Sequence, residues 1–240
     1  MLMNKLIKDL KIHIYADGAN SKEVAMFNKL KYVKGFTTNP SLMKNNNVLN
    51  YKTFAKKILN ATKGKPVSFE VFADDHNEIL KQANTIKSWG SNIFVKIPYY
   101  NSKGKSNLNL IRILSKQNVK LNITSIFNYN QVRHVFNNIN KNSHSILSIF
   151  AGRVADTGRD PVEIVKKAVR LTRSTKKIKI LWASCRETYS IFTADKIGCD
   201  IITVPDSILK KMKIIGKDLD KYSAETSKQF FLDSRGINFN

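Results

Sequence analysis

The segment NIFVKIP, residues 92–98, is typical of a buried strand but contains a lysine, and the position of that lysine needs a physical reason. Phe94 and Lys96 share one face of the expected strand, and the isoleucines and the valine around them share the other. A short apolar run rich in β-branched residues predicts a buried strand. A lysine in such a strand must reach water along its stem or lie in a partly dry interior at a cost in free energy.

Length and composition predict a folded chain with one sizeable core. The 240 residues are 42% hydrophobic and 10% aromatic, which suits one large domain. No segment approaches the uncharged apolar run that a membrane span needs, and the charged N-terminus does not resemble a signal peptide. Cys185 and Cys199 form neither a disulfide framework nor a zinc motif. We therefore expect a cytoplasmic protein without a metal site or membrane association.

Net charge is the one extreme property of the composition. Lysine and arginine outnumber aspartate and glutamate by 41 to 18, giving a formal charge of +23. Such an excess indicates either a polyanionic partner or a lysine-rich composition with solvated helix faces. The basic residues are spread in short clusters and no nucleic-acid recognition motif is present, which argues against a nucleic-acid function. A barrel without catalytic activity that binds RNA through its charge is the remote alternative.

Strand-like and helix-like segments alternate along the chain. Eight units in about 200 residues favour a single α/β domain over residues 1–240, a (β/α)8 TIM barrel with an additional C-terminal helix inside a helical extension over 206–240. An open doubly wound sheet is the alternative, but no glycine-rich phosphate loop follows the first strand. The expected strands span 11–17, 35–39, 67–71, 92–97, 120–126, 145–151, 178–184 and 199–204.

Helix ends are predicted by capping residues. Asp75, followed three residues later by Glu78, has the spacing of a capping box. Gly90 and Gly198 each follow a helical run, where a left-handed residue is expected.

Each predicted strand carries polar side chains on the face opposite its isoleucines and valines. In a barrel, alternate residues point into the interior, and functional groups gather at the C-terminal ends of the strands. The side chains expected to point inward are those of His13, Tyr15, Asp17, Thr37, Asn39, Ser68, Glu70, Lys96, Asn122, Thr124, Ser148, Phe150, Trp182 and Ser184. Two arginines, Arg153 and Arg186, lie just beyond strand ends.

This set of groups suits carbonyl chemistry. A lysine in a partly apolar interior gives access to a neutral amine, which can attack a carbonyl and form a Schiff base. Asp17 is suited to proton transfer, and Glu70 with Thr124 is suited to holding a water molecule. Arg153 and Arg186 are suited to gripping a phosphate. The residues thus predict a Schiff-base enzyme for a phosphorylated carbonyl compound; the alternative for the lysine is an ion pair with Asp17 or Glu70.

Seven segments resemble the transaldolases, in order and at similar spacing. They are GFTTNPSL (35–42), VSFEV (67–71), NIFVKIP (92–98), LNITSIF (121–127), SIFAGR (148–153), ILWASCR (180–186) and CDIITVP (199–205). The resemblance implies a class I, Schiff-base enzyme on a (β/α)8 barrel. It also implies that no metal or organic cofactor is needed, because the imine itself accepts the electron pair.

The resemblance further implies transfer of a dihydroxyacetone unit between sugar phosphates, as in the pentose phosphate pathway. Expected substrates are fructose 6-phosphate, sedoheptulose 7-phosphate, erythrose 4-phosphate and glyceraldehyde 3-phosphate. Lys96 matches the Schiff-base lysine, Asp17 the acid/base group, and Glu70 with Thr124 the pair that positions water. The substrate-binding positions implied are Thr37, Asn39, Asn122, Ser148 and Phe150, with Arg153, Ser184 and Arg186 at the phosphate.

Fructose 6-phosphate aldolase, which cleaves the same donor, is the alternative within the family. That branch has glutamine where this chain has Glu70, and tyrosine where it has Phe150, so both residues favour transaldolase. Gly18 replaces the more common threonine or serine after the acid/base aspartate, and the stretch after Arg153 also departs from the common pattern. In short relatives the C-terminal helix often packs on a neighbouring subunit, so the resemblance predicts a homo-oligomer.

Overall fold

A computed structural model describes residues 6–239 of the chain. Its parallel strands pair in sequence order and close into an eight-stranded barrel, which confirms the predicted fold class. Each strand lies within two residues of its predicted ends. The strands are β1 (His13–Asp17), β2 (Val33–Thr37), β3 (Val67–Glu70), β4 (Ile93–Pro98), β5 (Leu121–Ile126), β6 (Ser145–Ile149), β7 (Ile178–Trp182) and β8 (Ile201–Pro205).

Helices connect successive strands and surround the barrel. Those between the strands are α1 (Ser21–Asn28), α2 (Pro40–Asn45), α3 (Tyr51–Thr62), α4 (His76–Lys87), α5 (Leu108–Lys116), α6 (Tyr129–Asn138), α7 (Ala151–Asp156), α8 (Val162–Thr172) and α9 (Tyr189–Lys196). After β8 the chain forms α10 (Asp206–Lys211), a 3₁₀ turn (Met212–Ile214) and α11 (Leu219–Asp233). The additional C-terminal helix is therefore confirmed as α11, and the assignment of residues 1–240 to one domain with 206–240 as its extension stays a prediction.

The ends of α4 illustrate where local sequence decides a helix. Asp75 caps its N-terminus, accepting hydrogen bonds from the backbone N–H groups of Asn77 at 2.8 Å and Glu78 at 3.3 Å. The left-handed residue predicted at Gly90 is absent, because the last turn tightens and the Ser88 N–H donates to Asn84 O and Thr85 O. The same prediction at Gly198 is correct, with φ at +77°.

Two apolar layers separate the inside of the barrel from the outside. The outer layer joins strands to helices and includes Val95 and Ile97 of β4. The inner cluster consists of Tyr15, Ile146, Leu181, Ala183 and Ile201, with Phe94 and Phe150 packed against it. The predicted alternation of β4 is thus correct.

The facing predicted for β7 is wrong. Trp182 belongs to the outer layer, and Leu181 and Ala183 point inward. The reason is register, because Trp182 pairs with Ile149 and Ile202, both of which face the helices. Directly opposed residues on neighbouring strands share a face, so the large indole packs under the helical layer.

Gly35 shows how tightly the N-terminal half of the barrel is filled. A Cβ atom on this glycine would lie 2.5 Å from Cζ of Tyr15. No side chain is tolerated at that distance, so glycine in β2 makes room for the tyrosine ring of β1. The barrel interior around Tyr15 is therefore filled by side chains, whereas its C-terminal end is left to polar groups.

The helix α11 has no buried residue, and Phe230 and Phe231 are 69% and 64% exposed. The predicted homo-oligomer, which would cover this surface, stays a prediction. Among residues 6–239, no helix combines the length and apolarity required to cross a bilayer. The cytoplasmic location likewise stays a prediction.

Candidate active site

A cavity of about 450 Å³ opens at the C-terminal ends of the strands. Every residue predicted for catalysis or substrate binding lines it: Asp17, Thr37, Asn39, Glu70, Lys96, Asn122, Thr124, Ser148, Phe150, Arg153, Ser184 and Arg186. This end is where the residues of different strands converge in a parallel barrel, so distant parts of the sequence meet in one site.

Lys96 lies inside the barrel beside a carboxylate. Its Nζ is 3.2 Å from Oε2 of Glu70 and donates to the backbone oxygen of Thr38 at 3.1 Å. Only 9% of the lysine side chain is exposed. Register explains the pair, because Glu70 and Lys96 are directly opposite each other on β3 and β4. The ion pair considered from sequence is therefore present with Glu70, which is placed to accept a proton from the lysine.

Asp17, at the end of β1, is half-buried and held by neighbours at the end of β2. Its Oδ1 accepts a hydrogen bond from Thr37 Oγ1 at 2.7 Å, and its Oδ2 accepts one from Asn39 Nδ2 at 3.3 Å. Burial raises the pKa of this carboxyl above its ordinary value, while the positive charge of Lys96 and the bond from Thr37 oppose that rise. A carboxyl so placed is suited to proton exchange with a substrate hydroxyl.

Thr203 extends this contact and was missed by the sequence analysis. Its Oγ1 lies 2.5 Å from Oγ1 of Thr37. Thr37 has a single hydroxyl proton and gives it to Asp17, so Thr203 must be the donor to Thr37 whenever Asp17 is ionised. The sequence could have identified Thr203, since it is the one polar residue within the apolar strand segment IITVP, residues 201–205.

A second network fixes the polar groups of β5. The hydroxyl of Ser148 donates to Oδ1 of Asn122 at 2.6 Å, and Nδ2 of Asn122 donates to Oγ of Ser68 at 2.9 Å. These bonds determine which way the amide of Asn122 points. Thr124 Oγ1 is buried and has no hydrogen-bond partner among residues 6–239, so it remains available to a ligand or a water molecule.

An irregularity in β5 brings a further hydroxyl to the cavity. The pairing with β6 shifts between Ile123 and Ile126, and Ser125 has φ at +57°. Ser125 consequently lines the cavity, although strict alternation would turn it away.

Backbone contact at Gly152 positions the two arginines. A Cβ atom there would lie 1.6 Å from the carbonyl oxygen of Ser184, whose own φ is +61°. Glycine thus lets α7 approach the end of β7 closely. Arg186 lies 2.5 Å from Oδ2 of Asp156 on α7, a partner that the sequence analysis did not identify. Arg153 stacks over the ring of Phe150, 5.2 Å from its centroid.

The two cysteines are buried thiols rather than reactive ones. Burial raises the pKa of Cys185 to about 11 and that of Cys199 to about 12, so both stay protonated at neutral pH. Within residues 6–239, no group of three or more histidine, cysteine, aspartate or glutamate side chains is arranged to hold a metal ion.

Two solved structures share the barrel of this chain but little of its sequence. A 2,3-dimethylmalate lyase aligns over 99% of this chain and 89% of its own, with a TM-score of 0.57 and 11% identity. A mandelate oxidase mutant aligns over 83% and 70%, with the same TM-score and identity. At such identities the likeness shows the fold alone. Fold and cavity together define a (β/α)8 barrel with a lysine–carboxylate site at its C-terminal mouth.

Sequence comparison identifies the family. The model of the Transaldolase/Fructose-6-phosphate aldolase family matches residues 14–239. A "Probable transaldolase" of Methanococcus maripaludis is 33% identical over 199 residues, which cover 82% of this chain and 88% of the relative. Proteins of the same name from Nitrosopumilus maritimus and Dehalococcoides mccartyi are 30% and 32% identical, over 83% and 84% of this chain and 86% and 90% of the relatives. The chain belongs to the transaldolase/fructose-6-phosphate aldolase family, as the motifs indicated.

Proposed function

We propose that this protein is a transaldolase that transfers a dihydroxyacetone unit between sugar phosphates through a Schiff base on Lys96. The observation that carries the proposal is the position of Lys96 Nζ, 3.2 Å from Glu70 Oε2 in the cavity that Asp17 also lines. Family membership supports the reaction class.

Formation of the imine needs a neutral amine and a route for protons. Glu70 takes a proton from Lys96, and the amine attacks the C2 carbonyl of the ketose donor to form a carbinolamine. Loss of water then gives the imine, with Glu70 returning its proton to the departing hydroxyl. Thr124 Oγ1, which has no hydrogen-bond partner among the described residues, is suited to holding that water.

Cleavage follows from the imine, which accepts the electron pair of the breaking bond. Asp17 removes the proton of the C4 hydroxyl, the C3–C4 bond breaks, and an aldose phosphate leaves. The remaining three-carbon enamine stays on Lys96 until an acceptor aldehyde enters. Its attack on that aldehyde forms a new C–C bond, Asp17 returns the proton, and water releases the product ketose phosphate.

The residues that line the cavity divide into a set for the phosphate and a set for the three-carbon unit. Fructose 6-phosphate and sedoheptulose 7-phosphate would be donors, with erythrose 4-phosphate and glyceraldehyde 3-phosphate as acceptors, as in the pentose phosphate pathway. Arg153 and Arg186, with Ser184 just after β7, would bind the phosphate, the arginines through charge-assisted hydrogen bonds. Residues around the three-carbon unit would be Thr37, Asn39, Asn122, Ser148 and Phe150.

An acceptor-dependence assay tests the proposal and its alternative. With fructose 6-phosphate and erythrose 4-phosphate together, we expect stoichiometric glyceraldehyde 3-phosphate and sedoheptulose 7-phosphate, measured by mass spectrometry. Without an acceptor we expect little product, because the three-carbon unit stays on the enzyme. Free dihydroxyacetone released at the same rate without acceptor would instead identify a fructose 6-phosphate aldolase. Absence of both products with several ketose phosphates would refute the proposal.

Thr203 is expected to act on the reaction through Asp17. In the variant Thr203→Val, Thr37 keeps its bond to Asp17 but loses the donor that polarises it, so the ionised carboxylate is stabilised less. We expect kcat/KM at pH 7 to fall roughly threefold to tenfold and the acidic limb of its pH profile to move to higher pH.

Thr203→Ser is the matched control, because it retains the hydroxyl and should restore the wild-type profile. A uniform fall in rate without movement of the acidic limb, or a serine variant as impaired as the valine one, would show that Thr203 matters only for packing.

A further inference from the structure

Several cationic side chains gather at the end of the barrel opposite the active-site cavity. A groove of about 610 Å³ lies between the last turns of α8 and α9 and the start of β7. One carboxylate, that of Asp200, lines it. Its cationic side chains are Lys166, Arg170, Arg173, Lys176, Lys179 and Lys196.

The groove continues into the N-terminal mouth of the barrel. A second cavity of about 540 Å³ there shares Lys176, Lys179, Gly198 and Asp200 with the groove. It adds the cations Lys11 and Lys177 and the imidazoles of His13 and His144. The inner end of this cavity is apolar, formed by Tyr15, Phe94, Ile146 and Ile201. A cationic channel therefore leads to an aromatic floor.

The carboxylates of this region are already engaged. Asp200 pairs with Lys179 at 2.7 Å and accepts from the backbone of Ile180 at 2.9 Å. Asp195 accepts from the backbone N–H groups of Lys11 at 2.7 Å and Ile12 at 2.8 Å. Asp200 is therefore neutralised by Lys179, and the single charge of Asp195, which makes no ion pair within residues 6–239, offsets only one of the remaining cations.

Four groove cations are consequently unpaired. Across residues 6–239, the side chains of Arg170, Arg173, Lys176 and Lys196 make no ion pair and no hydrogen bond. Like charges held together in a concave surface repel one another and focus a positive potential, which an anion would relieve.

Stabilisation of helix ends explains only part of this cluster. Arg170 and Lys196 lie in the last turns of α8 and α9, where positive charge favours the helix dipole. Lys11, Lys176 and Lys177 lie outside any helix and gain nothing from that effect. Electrostatic attraction of sugar phosphates toward the active site does not explain these cations either, because they lie at the opposite end of the barrel from Lys96.

We infer that the groove and the mouth together bind a nucleotide carrying two or more phosphates. Arg170, Arg173, Lys176 and Lys196 contact the phosphates, since guanidinium groups bind phosphate oxygens in pairs and several separated cations match several anionic groups. The base enters the mouth and packs against the half-buried ring of Phe94, beneath which Tyr15 is buried in the inner apolar cluster. The two cavities have the size of ordinary small-molecule sites. The inference is independent of the transaldolase proposal.

Calorimetric titration of the full chain tests the ligand class. We expect ATP to bind with a stoichiometry of one and more tightly than tripolyphosphate. Adenosine should bind at least about tenfold more weakly than ATP, because phosphate contacts provide most of the affinity. Affinity should fall as salt rises. Tripolyphosphate binding as tightly as ATP would overturn the role of the aromatic floor. A single-stranded RNA that binds while ATP does not would overturn the nucleotide site in favour of a nucleic-acid surface.

A pair of double variants locates the site. Arg170→Gln with Arg173→Gln should weaken ATP binding by about tenfold or more, because two charge-assisted contacts are lost. The control, Lys56→Gln with Lys167→Gln, removes the same charge from exposed positions outside the groove, one of them on α8 itself, and should change the affinity less than about twofold. Equal weakening in both would show a response to net charge and overturn the site. Thermal unfolding of both variants checks that the fold is retained.

Discussion

Lys96→Arg is expected to abolish covalent trapping of substrate and to lower the transfer rate by on the order of 10⁴-fold or more. The guanidinium keeps the positive charge beside Glu70 but does not lose its proton at any usable pH, so it cannot form an imine. The measurement is incubation with fructose 6-phosphate and borohydride, followed by peptide mapping. In the wild-type protein we expect a reduced three-carbon adduct on Lys96, and none in the variant.

The choice of arginine separates chemistry from folding. Removing the charge altogether would leave the largely enclosed Glu70, 14% of whose side chain is exposed, without its partner and would destabilise the fold. Lys120→Arg is the matched control, because Lys120 is half-buried just before β5, outside the cavity, and its substitution should leave the adduct on Lys96 unchanged. An adduct mapped to another lysine, or a variant that still turns over, would mean that Lys96 serves only as half of an interior ion pair.

Asp17→Asn is expected to lower the transfer rate by roughly 10²–10⁴-fold while raising the stability of the folded protein at neutral pH. The rate falls because an amide cannot take the proton of the C4 hydroxyl. Stability rises because burial raises the pKa of Asp17 above its ordinary value of 3.8, so the folded protein bears a cost whenever this group is ionised. The amide bears no such cost.

The sign of the pH dependence follows from the raised pKa. Below pH 3.8 the carboxyl is protonated in both the folded and the unfolded chain, so Asp17→Asn should have little effect on stability. As pH rises through and beyond that value, the wild-type protein loses stability relative to the variant, and the difference persists at neutral pH. Thermal unfolding between pH 3.5 and 8 measures it, with the exposed Asp220→Asn as control. A variant less stable than wild type at pH 7 would show that attraction to Lys96 outweighs burial.

Much of the candidate site could be predicted from the sequence, because successive side chains of a strand point alternately into and out of the barrel. The residues predicted for catalysis and substrate binding line one cavity, because polar side chains at every second position of apolar strands meet inside the barrel; His13, Tyr15, Ser68 and Trp182 of the predicted inward set do not line it. Alternation alone gave a wrong result where the parity of a strand is set by register, as at β7, and where the backbone is irregular, as at Ser184 and Ser125. At β7 it assigned the wrong face to Trp182, and Ser184 reaches the cavity only through a left-handed backbone conformation. The bulge that exposes Ser125 left no local signal either.

The sequence by itself determined the order of strands and helices, the closed barrel and the end of it at which the polar residues gather, because these depend on periodicity and short-range capping. Only the tertiary structure decided which groups touch. Register placed Glu70 rather than Asp17 against Lys96, and the close approach of α7 at Gly152 brought Asp156 to Arg186. It also gathered cations from α8, α9 and β7, dispersed along the chain, into one groove. Contacts of this kind are set by strand stagger and helix packing, to ångström precision, and no pattern along a single strand or helix encodes them.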